Sequence, residues 1–185
     1  DGHVLTDQEI ADSYMKVSEY GEKIGCLPCF EIHINMWSED FTRINSVAKL
    51  VKEQGITFRM TLDHSHIIFK MNNEEEMAMF GLGQQLKEKK IILDPFQKGN
   101  ITQQWIDEGY VWLMHARSAV PNNPKNIGGR HPDGSIGRGV QYPFIKPLEG
   151  QYHAEWEEKK LEPWKEIIRN VIKNHFVNDN SSLEC

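Results

Sequence analysis

The stretch TFRMTLDHSH, residues 57–66, decides how the rest of the sequence is interpreted. Apolar and polar residues alternate from Phe58 to Leu62 at the period of two that is typical of a β-strand. The strand is followed at once by Asp63 and His66, whose side chains are common metal ligands. Because ligand sites of α/β folds lie where parallel strands end, the sequence predicts a strand that carries chemistry at its carboxyl end.

Two further segments carry potential ligands in the same position. Glu31 lies within PCFEIHINM, residues 28–36, and His115 lies near the end of YVWLMHA, residues 110–116. Each segment is mostly apolar and follows a helix-like stretch, so both are predicted strands. Three strand ends would then bring two carboxylates and one imidazole to one edge of a sheet, a ligand set that suits a divalent cation of hard to borderline character.

Helix-like segments separate the predicted strands. TDQE, residues 6–9, forms a capping box for a first helix that Gly25 closes. Ser38 is the predicted N-cap of a second helix, which Gly55 closes, and a third helical stretch covers residues 72–90. A short helix is predicted over 102–108, before the third strand, and a last helix runs from Pro163 to about His175.

Between the third strand and the last helix lies a long loop rich in Pro, Asn and Gly, residues 117–139, followed by a predicted fourth strand in VQYPF, residues 140–144. The alternation of helices and strands predicts an α/β fold with parallel strands in a single domain over residues 1–185. An open doubly wound sheet and part of a (β/α)8 barrel both satisfy this order. No glycine-rich nucleotide fingerprint follows any predicted strand.

The composition excludes several classes of function. A net charge of −6 with no basic stripe argues against binding to nucleic acid. There is no apolar run of membrane-spanning length and no signal peptide at the first residues, so we expect a cytoplasmic protein with no membrane partner. The three cysteines do not form a disulfide framework, and Cys26 and Cys29, although spaced like a redox pair, lead into a strand rather than onto a helix N-terminus.

The order of five segments resembles that of the xylose isomerase-like (β/α)8 barrels, the sugar phosphate isomerase/epimerase superfamily that also contains the apurinic-site endonucleases. The segments are EIHINMWSEDF (31–41), TLDHSH (61–66), HARSA (115–119), GRGVQYPFIKP (137–147) and LEPWKEIIRNV (161–171). In that family a Glu closes strand four, an Asp with a His three residues later closes strand five, and a His closes strand six. The resemblance covers nearly the whole chain but only about strands four to seven, so it implies a partial or half barrel.

By this resemblance Glu31, Asp63 and His115 bind a divalent metal ion, which could be Mn, Mg, Zn or Co. Glu31 also acts as a catalytic acid or base. His66 would act beside it, either by binding a substrate oxygen or by orienting Asp63. Arg117 would hold a phosphate or hydroxyl group of the substrate.

Two further residues are candidates for binding a sugar-like substrate. Arg138 lies within the GRGVQ segment and would line the same mouth, and Trp37 lies near a strand end, where its ring could stack on a sugar. Trp112 also lies near a strand end and has the same possible role, whereas the other three tryptophans are interpreted as core or helix-packing residues. The implied reaction is isomerisation or epimerisation of a sugar, in which a base moves a proton between neighbouring carbons while a metal ion holds the oxygens.

Two alternatives stay open. The family's fourth ligand, a Glu on strand eight, has no counterpart in this sequence, which favours a non-catalytic partial barrel. The other alternative is a metal-dependent phosphodiesterase of the apurinic-site endonuclease type, although the acidic net charge argues against binding to DNA. A half barrel would leave sheet edges unpaired, so we expect a homo-oligomer or pairing with the missing half.

Overall fold

The computed structural model describes residues 4–78, 81–122, 126–130, 132–134, 136–137 and 142–177. The helices in this part of the chain are α1 (Asp7–Ile24), α2 (Phe41–Glu53), α3 (Ser65–Ile68), α4 (Glu74–Ala78), α5 (Leu82–Lys87), α6 (Ile101–Asp107) and α7 (Glu162–Val177). The strands are β1 (Phe30–Glu31), β2 (Met60–Asp63), β3 (Val111–His115), β4 (Asn126–Arg130) and β5 (Ile136–Gly137). Two short 3-10 helices cover Trp37–Glu39 and Glu158–Leu161.

Strands β1, β2 and β3 form a parallel sheet in the order in which they occur along the chain. Helices connect them, because a parallel pair cannot be joined by a tight turn. The α/β fold and the parallel arrangement predicted from the alternation of elements are therefore confirmed. Three strands form an open sheet, and closure into a barrel stays a prediction. The predicted loop contains the antiparallel pair β4 and β5.

The core lies against the face of the sheet that carries the apolar residues of β2. Phe58, Met60 and Leu62, the apolar residues of the alternating pattern, are at most 2% exposed. The apolar stripe of α2 is also fully buried, because its residues recur at helical spacing and face the same side. Since β2 is the central strand, its polar residues are buried as well. In the described part of the chain, no helix has both the length and the apolar content needed to cross a membrane.

The start of α1 is as predicted, and that of α2 is not. Thr6 and Glu9 form the capping box, and Gly25 ends α1 in the left-handed conformation at φ 72°. The N-cap of α2 is Asp40, whose Oδ1 accepts from the Thr42 amide at 3.1 Å. Ser38, the predicted cap, instead lies in the 3-10 helix, where its hydroxyl donates to the carbonyl of Glu31 at the end of β1 and accepts from the amide of His33.

Three predicted elements differ from the structure. The strand predicted over 28–36 is only Phe30–Glu31, because the chain leaves the sheet and turns at Asn35, which has a positive φ of 61°. The helix predicted over 72–90 is divided into α4 and α5, with Gly81 at φ 69° before the second helix. Of the predicted fourth strand, Tyr142 to Phe144 are described and are not a strand, although the Tyr142 amide donates to the Ser118 carbonyl.

Candidate metal centre

The register of the parallel sheet places three potential ligands on one face. Glu31 of β1 is the neighbour of Thr61 on β2, and Asp63 of β2 is the neighbour of His115 on β3. Paired residues of adjacent strands point to the same face, and so do residues two apart on one strand. Glu31, Asp63 and His115 therefore project from the same face at the carboxyl ends of three neighbouring strands.

A register shift in the sheet is what brings His115 beside Asp63. Met60 pairs with Val111, but the next residue, Thr61, pairs with Leu113, so Trp112 is an additional residue on β3. Without this bulge the regular pairing would place Met114 beside Asp63. A β-bulge reverses the faces of the residues that follow it, and here it exchanges an apolar side chain for an imidazole.

The three side chains lie close enough to share one ion. Each offers a ligand atom, and these atoms all lie within 4.8 Å of one another. His115 Nδ1 is 2.9 Å from Glu31 Oε1, within hydrogen-bond distance. The Asp63 side chain is fully buried, whereas the side chains of Glu31 and His115 are 38% and 46% exposed. The triad is thus buried on the Asp63 side and open to solvent on the other.

The two oxygens of Asp63 have different surroundings. Oδ1 accepts from the Ser65 backbone amide at 3.1 Å and from the Ser65 hydroxyl, which fixes the carboxylate at the start of α3. Oδ2 is buried and has no hydrogen-bond partner among the described residues. A buried carboxylate oxygen is costly unless positive charge lies beside it, so Oδ2 favours a cationic neighbour.

His66 lies against Asp63 on the inner side of the site. Its Nε2 is 3.5 Å from Asp63 Oδ2, and both ring nitrogens are buried without a hydrogen-bond partner in the described part of the chain. Burial lowers the pKa of His66 to about 4, against the opposing effect of Asp63, so the ring is neutral at neutral pH. His33 packs edge-on against this ring at a centroid distance of 4.6 Å.

Arg117 forms an ion pair with a member of the triad. Its guanidinium nitrogen is 3.3 Å from Asp63 Oδ2, and 46% of its side chain is exposed. A partly solvated guanidinium can leave the carboxylate and bind an incoming anionic or hydroxyl oxygen. Arg138, the other predicted binding residue, lies outside the described residues.

The two tryptophans near strand ends, Trp37 and Trp112, differ in their exposure to solvent. Trp37 is 7% exposed and packs against the ring of Phe30, so it is a core residue and has no open ring face for a sugar. Trp112 is 38% exposed, and the Arg59 guanidinium lies over its ring at 4.7 Å. His64, the residue after Asp63, stacks on the ring of Trp164 at a centroid distance of 5.9 Å.

The cysteine pair lies before β1, at the end of the sheet opposite the triad. Cys26 is exposed and Cys29 is half-buried, and both are free thiols. Burial raises the pKa of the Cys29 thiol, which lowers its thiolate fraction at neutral pH. This agrees with the sequence argument against a redox role for the pair.

The residues present fit a divalent cation. They supply carboxylate and imidazole ligands, which suit Mg, Mn, Zn or Co, and the charged neighbour of the buried Asp63 Oδ2, Arg117, is 46% exposed and can move aside. Ligands about 2.1 Å from one ion lie at most about 4.2 Å apart, so a shared ion would require at most a small inward movement of the widest pair. His115 Nδ1 would then exchange its contact with Glu31 for the ion.

Comparisons of this chain with protein-family models, with curated proteins and with solved structures found no match. The functional conclusion therefore rests on the residues of the site. Two of them, Ser65 and His33, were not predicted as site residues. The spacing of Ser65, two residues after Asp63, is a recognisable turn pattern that could have identified it, whereas the contact of His33 with His66 depends on tertiary packing.

Proposed function

We propose that this chain binds one divalent metal ion through Glu31, Asp63 and His115. The observation that carries the proposal is the convergence of these three ligand atoms within 4.8 Å, with the buried Asp63 carboxylate on the inner side and two partly exposed side chains on the outer side. Three side chains leave coordination positions open, which is typical of catalytic rather than structural sites. The solvent-exposed side of the triad is where a substrate would enter.

The proposed reaction is isomerisation or epimerisation of a sugar or sugar-like polyol. When bound, the metal ion would hold substrate oxygens and stabilise negative charge that develops on them. Glu31, the more exposed carboxylate of the triad, would move the proton between neighbouring carbons, and fully buried Asp63 would serve only as a ligand. His66 would orient Asp63 or accept a hydrogen bond from a substrate hydroxyl through a neutral ring nitrogen, and Arg117 would bind a further oxygen.

The same proposal includes membership of the xylose isomerase-like barrels. Its support is the order of the ligands along the chain, with a Glu, an Asp and a His at the ends of consecutive parallel strands. The sheet has β1 and β3 at its edges, and the face that carries the triad is partly open. Further strands, from another segment or from a second copy of the chain, would extend the sheet and enclose this face.

The first experiment measures metal content. Wild-type protein is compared by mass spectrometry with Asp63→Asn, which keeps the size of the side chain, and with Asp107→Asn, a surface control on α6. We expect about one divalent ion per chain in wild type and in the control, and none in Asp63→Asn. Equal metal content in all three proteins would refute the site.

The second experiment tests turnover. Metal-loaded protein is incubated in D2O with aldoses and ketoses, and deuterium incorporation next to the carbonyl is followed by NMR. Proton transfer by Glu31 predicts incorporation in wild type and its loss in Glu31→Gln. Metal binding without incorporation for any sugar would support the non-catalytic alternative instead.

A further inference from the structure

Ser38 makes two contacts with the strand end that carries Glu31. Its hydroxyl donates to the Glu31 carbonyl at 2.7 Å and accepts from the His33 amide at 3.2 Å. Ser38 is 2% exposed, so both bonds are shielded from water. A single hydroxyl therefore satisfies one acceptor and one donor of the backbone that flanks a proposed metal ligand.

These two backbone groups lie on the outer edge of β1. The amides of Phe30 and Ile32 donate to the carbonyls of Arg59, just before β2, and of Thr61 on β2, at 3.1 Å each. Because successive peptide groups of a strand point to opposite edges, the Glu31 carbonyl and the His33 amide point away from β2. A neighbouring strand would normally pair with them, and here Ser38 takes its place. The extended conformation of Glu31 is thereby held at a sheet edge.

Glu39, the residue after Ser38, connects the same 3-10 helix to the chain that follows Asp63. Glu39 Oε1 is 2.6 Å from Lys70 Nζ, and both side chains are at most 1% exposed. Lys70 follows α3, the short helix that begins two residues after Asp63. Residues 37–39 thus connect the backbone that carries Glu31 with the helical turn that follows Asp63.

We infer that Ser38 is a positioning residue for metal binding, because it holds the Glu31 backbone at the place from which the carboxylate meets Asp63 and His115. The inference rests on the proposed metal site. Ligands must be held within about 0.5 Å of the productive geometry, and partners that orient a ligand typically contribute about 10- to 100-fold in metal affinity. Ser38 acts through Glu31 and does not touch the ion.

The test is a titration with Co²⁺, followed through its visible absorption bands, of wild type, Ser38→Ala and Ser18→Ala. Ser18 is the control, because it is also buried, at 3% exposure, and lies on α1. We expect Ser38→Ala to bind Co²⁺ about 10- to 100-fold more weakly, with altered band positions. Ser18→Ala should bind like wild type. Circular dichroism gives the folded fraction of each protein.

The outcomes separate this inference from the proposed function. If wild type binds Co²⁺ and Ser38→Ala binds it with the same affinity and bands, Ser38 has no positioning role and the metal site stands. A loss of affinity that only follows the loss of folded protein likewise overturns the inference. If wild type binds no Co²⁺, the metal site itself is wrong, and the role of Ser38 with it.

Discussion

Two clusters in this molecule each combine two carboxylates with basic side chains, but only one of them is open. In the first, Lys70 lies between Glu39 and Glu76 at 2.6 and 3.2 Å, and all three side chains are at most 9% exposed. In the second, Glu31 and Asp63 lie beside His115, which is 46% exposed. The Lys70 ammonium is buried between both carboxylates of the first cluster, whereas the basic side chains of the second, His115 and Arg117, are each 46% exposed and can make way for a cation. The predictions below test this difference.

The largest expected effect is loss of stability when the buried cluster loses its cation. Lys70→Met retains most of the side-chain volume but removes the charge between two buried carboxylates. We expect the free energy of unfolding, measured in urea, to fall by about 3–5 kcal/mol. The control is Lys52→Met, which breaks the exposed pair of Lys52 with Glu108 and should cost about 1 kcal/mol or less. Equal losses in the two variants would mean that Lys70 is not a buried charge.

The free energy of unfolding is expected to depend on pH because of His64, the residue that follows Asp63. Burial lowers the pKa of His64 to about 4, from 6.5 for an exposed imidazole. Between these two values the unfolded chain is protonated and the folded chain is not, so the free energy of unfolding falls as the pH falls from 6.5 to 4. The total loss is up to about 3 kcal/mol, and this contribution does not change above 6.5 or below 4.

Urea unfolding in EDTA at several pH values measures this loss. His64→Phe removes the titrating group and keeps an aromatic ring against Trp164. The part of the pH dependence due to His64 should therefore be absent in this variant. If the free energy of unfolding of His64→Phe fell between pH 6.5 and 4 as steeply as that of wild type, the pH effect would not come from His64.

The third prediction concerns stabilisation by metal. Co²⁺ at 100 times its dissociation constant should raise the free energy of unfolding of wild type by about 2.7 kcal/mol. Lys70→Met, although less stable, should gain the same increment, since its metal ligands are intact. Asp63→Asn should gain none. If Co²⁺ stabilised Asp63→Asn as strongly as wild type, the ion would be binding elsewhere.

The smallest effect is expected for Arg117. Its guanidinium is 3.3 Å from Asp63 Oδ2, so it repels a cation that approaches the same oxygen. Arg117→Gln should raise the affinity for Co²⁺ about two- to fivefold, in keeping with the 0–1 kcal/mol of a partly exposed charge pair. Arg169→Gln, which breaks the pair with Glu162 on α7, is the control and should leave the affinity unchanged. Weaker binding by Arg117→Gln would show that Arg117 orients Asp63 instead.

Local patterns predicted the parts of the fold that local interactions stabilise. The capping box of Thr6 and Glu9 and the glycine that ends α1 were correct, because each depends on residues within one or two helical turns. Ser38 was a wrong N-cap. A serine before a helical stripe is a common cap, but its hydroxyl here satisfies β1 and Asp40 caps α2. The buried pair of Glu39 and Lys70, 31 residues apart, had no local signal at all.

By itself, the sequence determined the alternation of helices and strands, the parallel sheet that follows from it, and the strand ends on which Glu31, Asp63 and His115 lie. Only the tertiary structure decided that these three side chains meet. Their convergence depends on the additional residue at Trp112 on β3, which shifts the register by one and turns His115 rather than Met114 toward Asp63. Strand register is set by pairing between distant segments, so the period-two pattern of one strand cannot specify it.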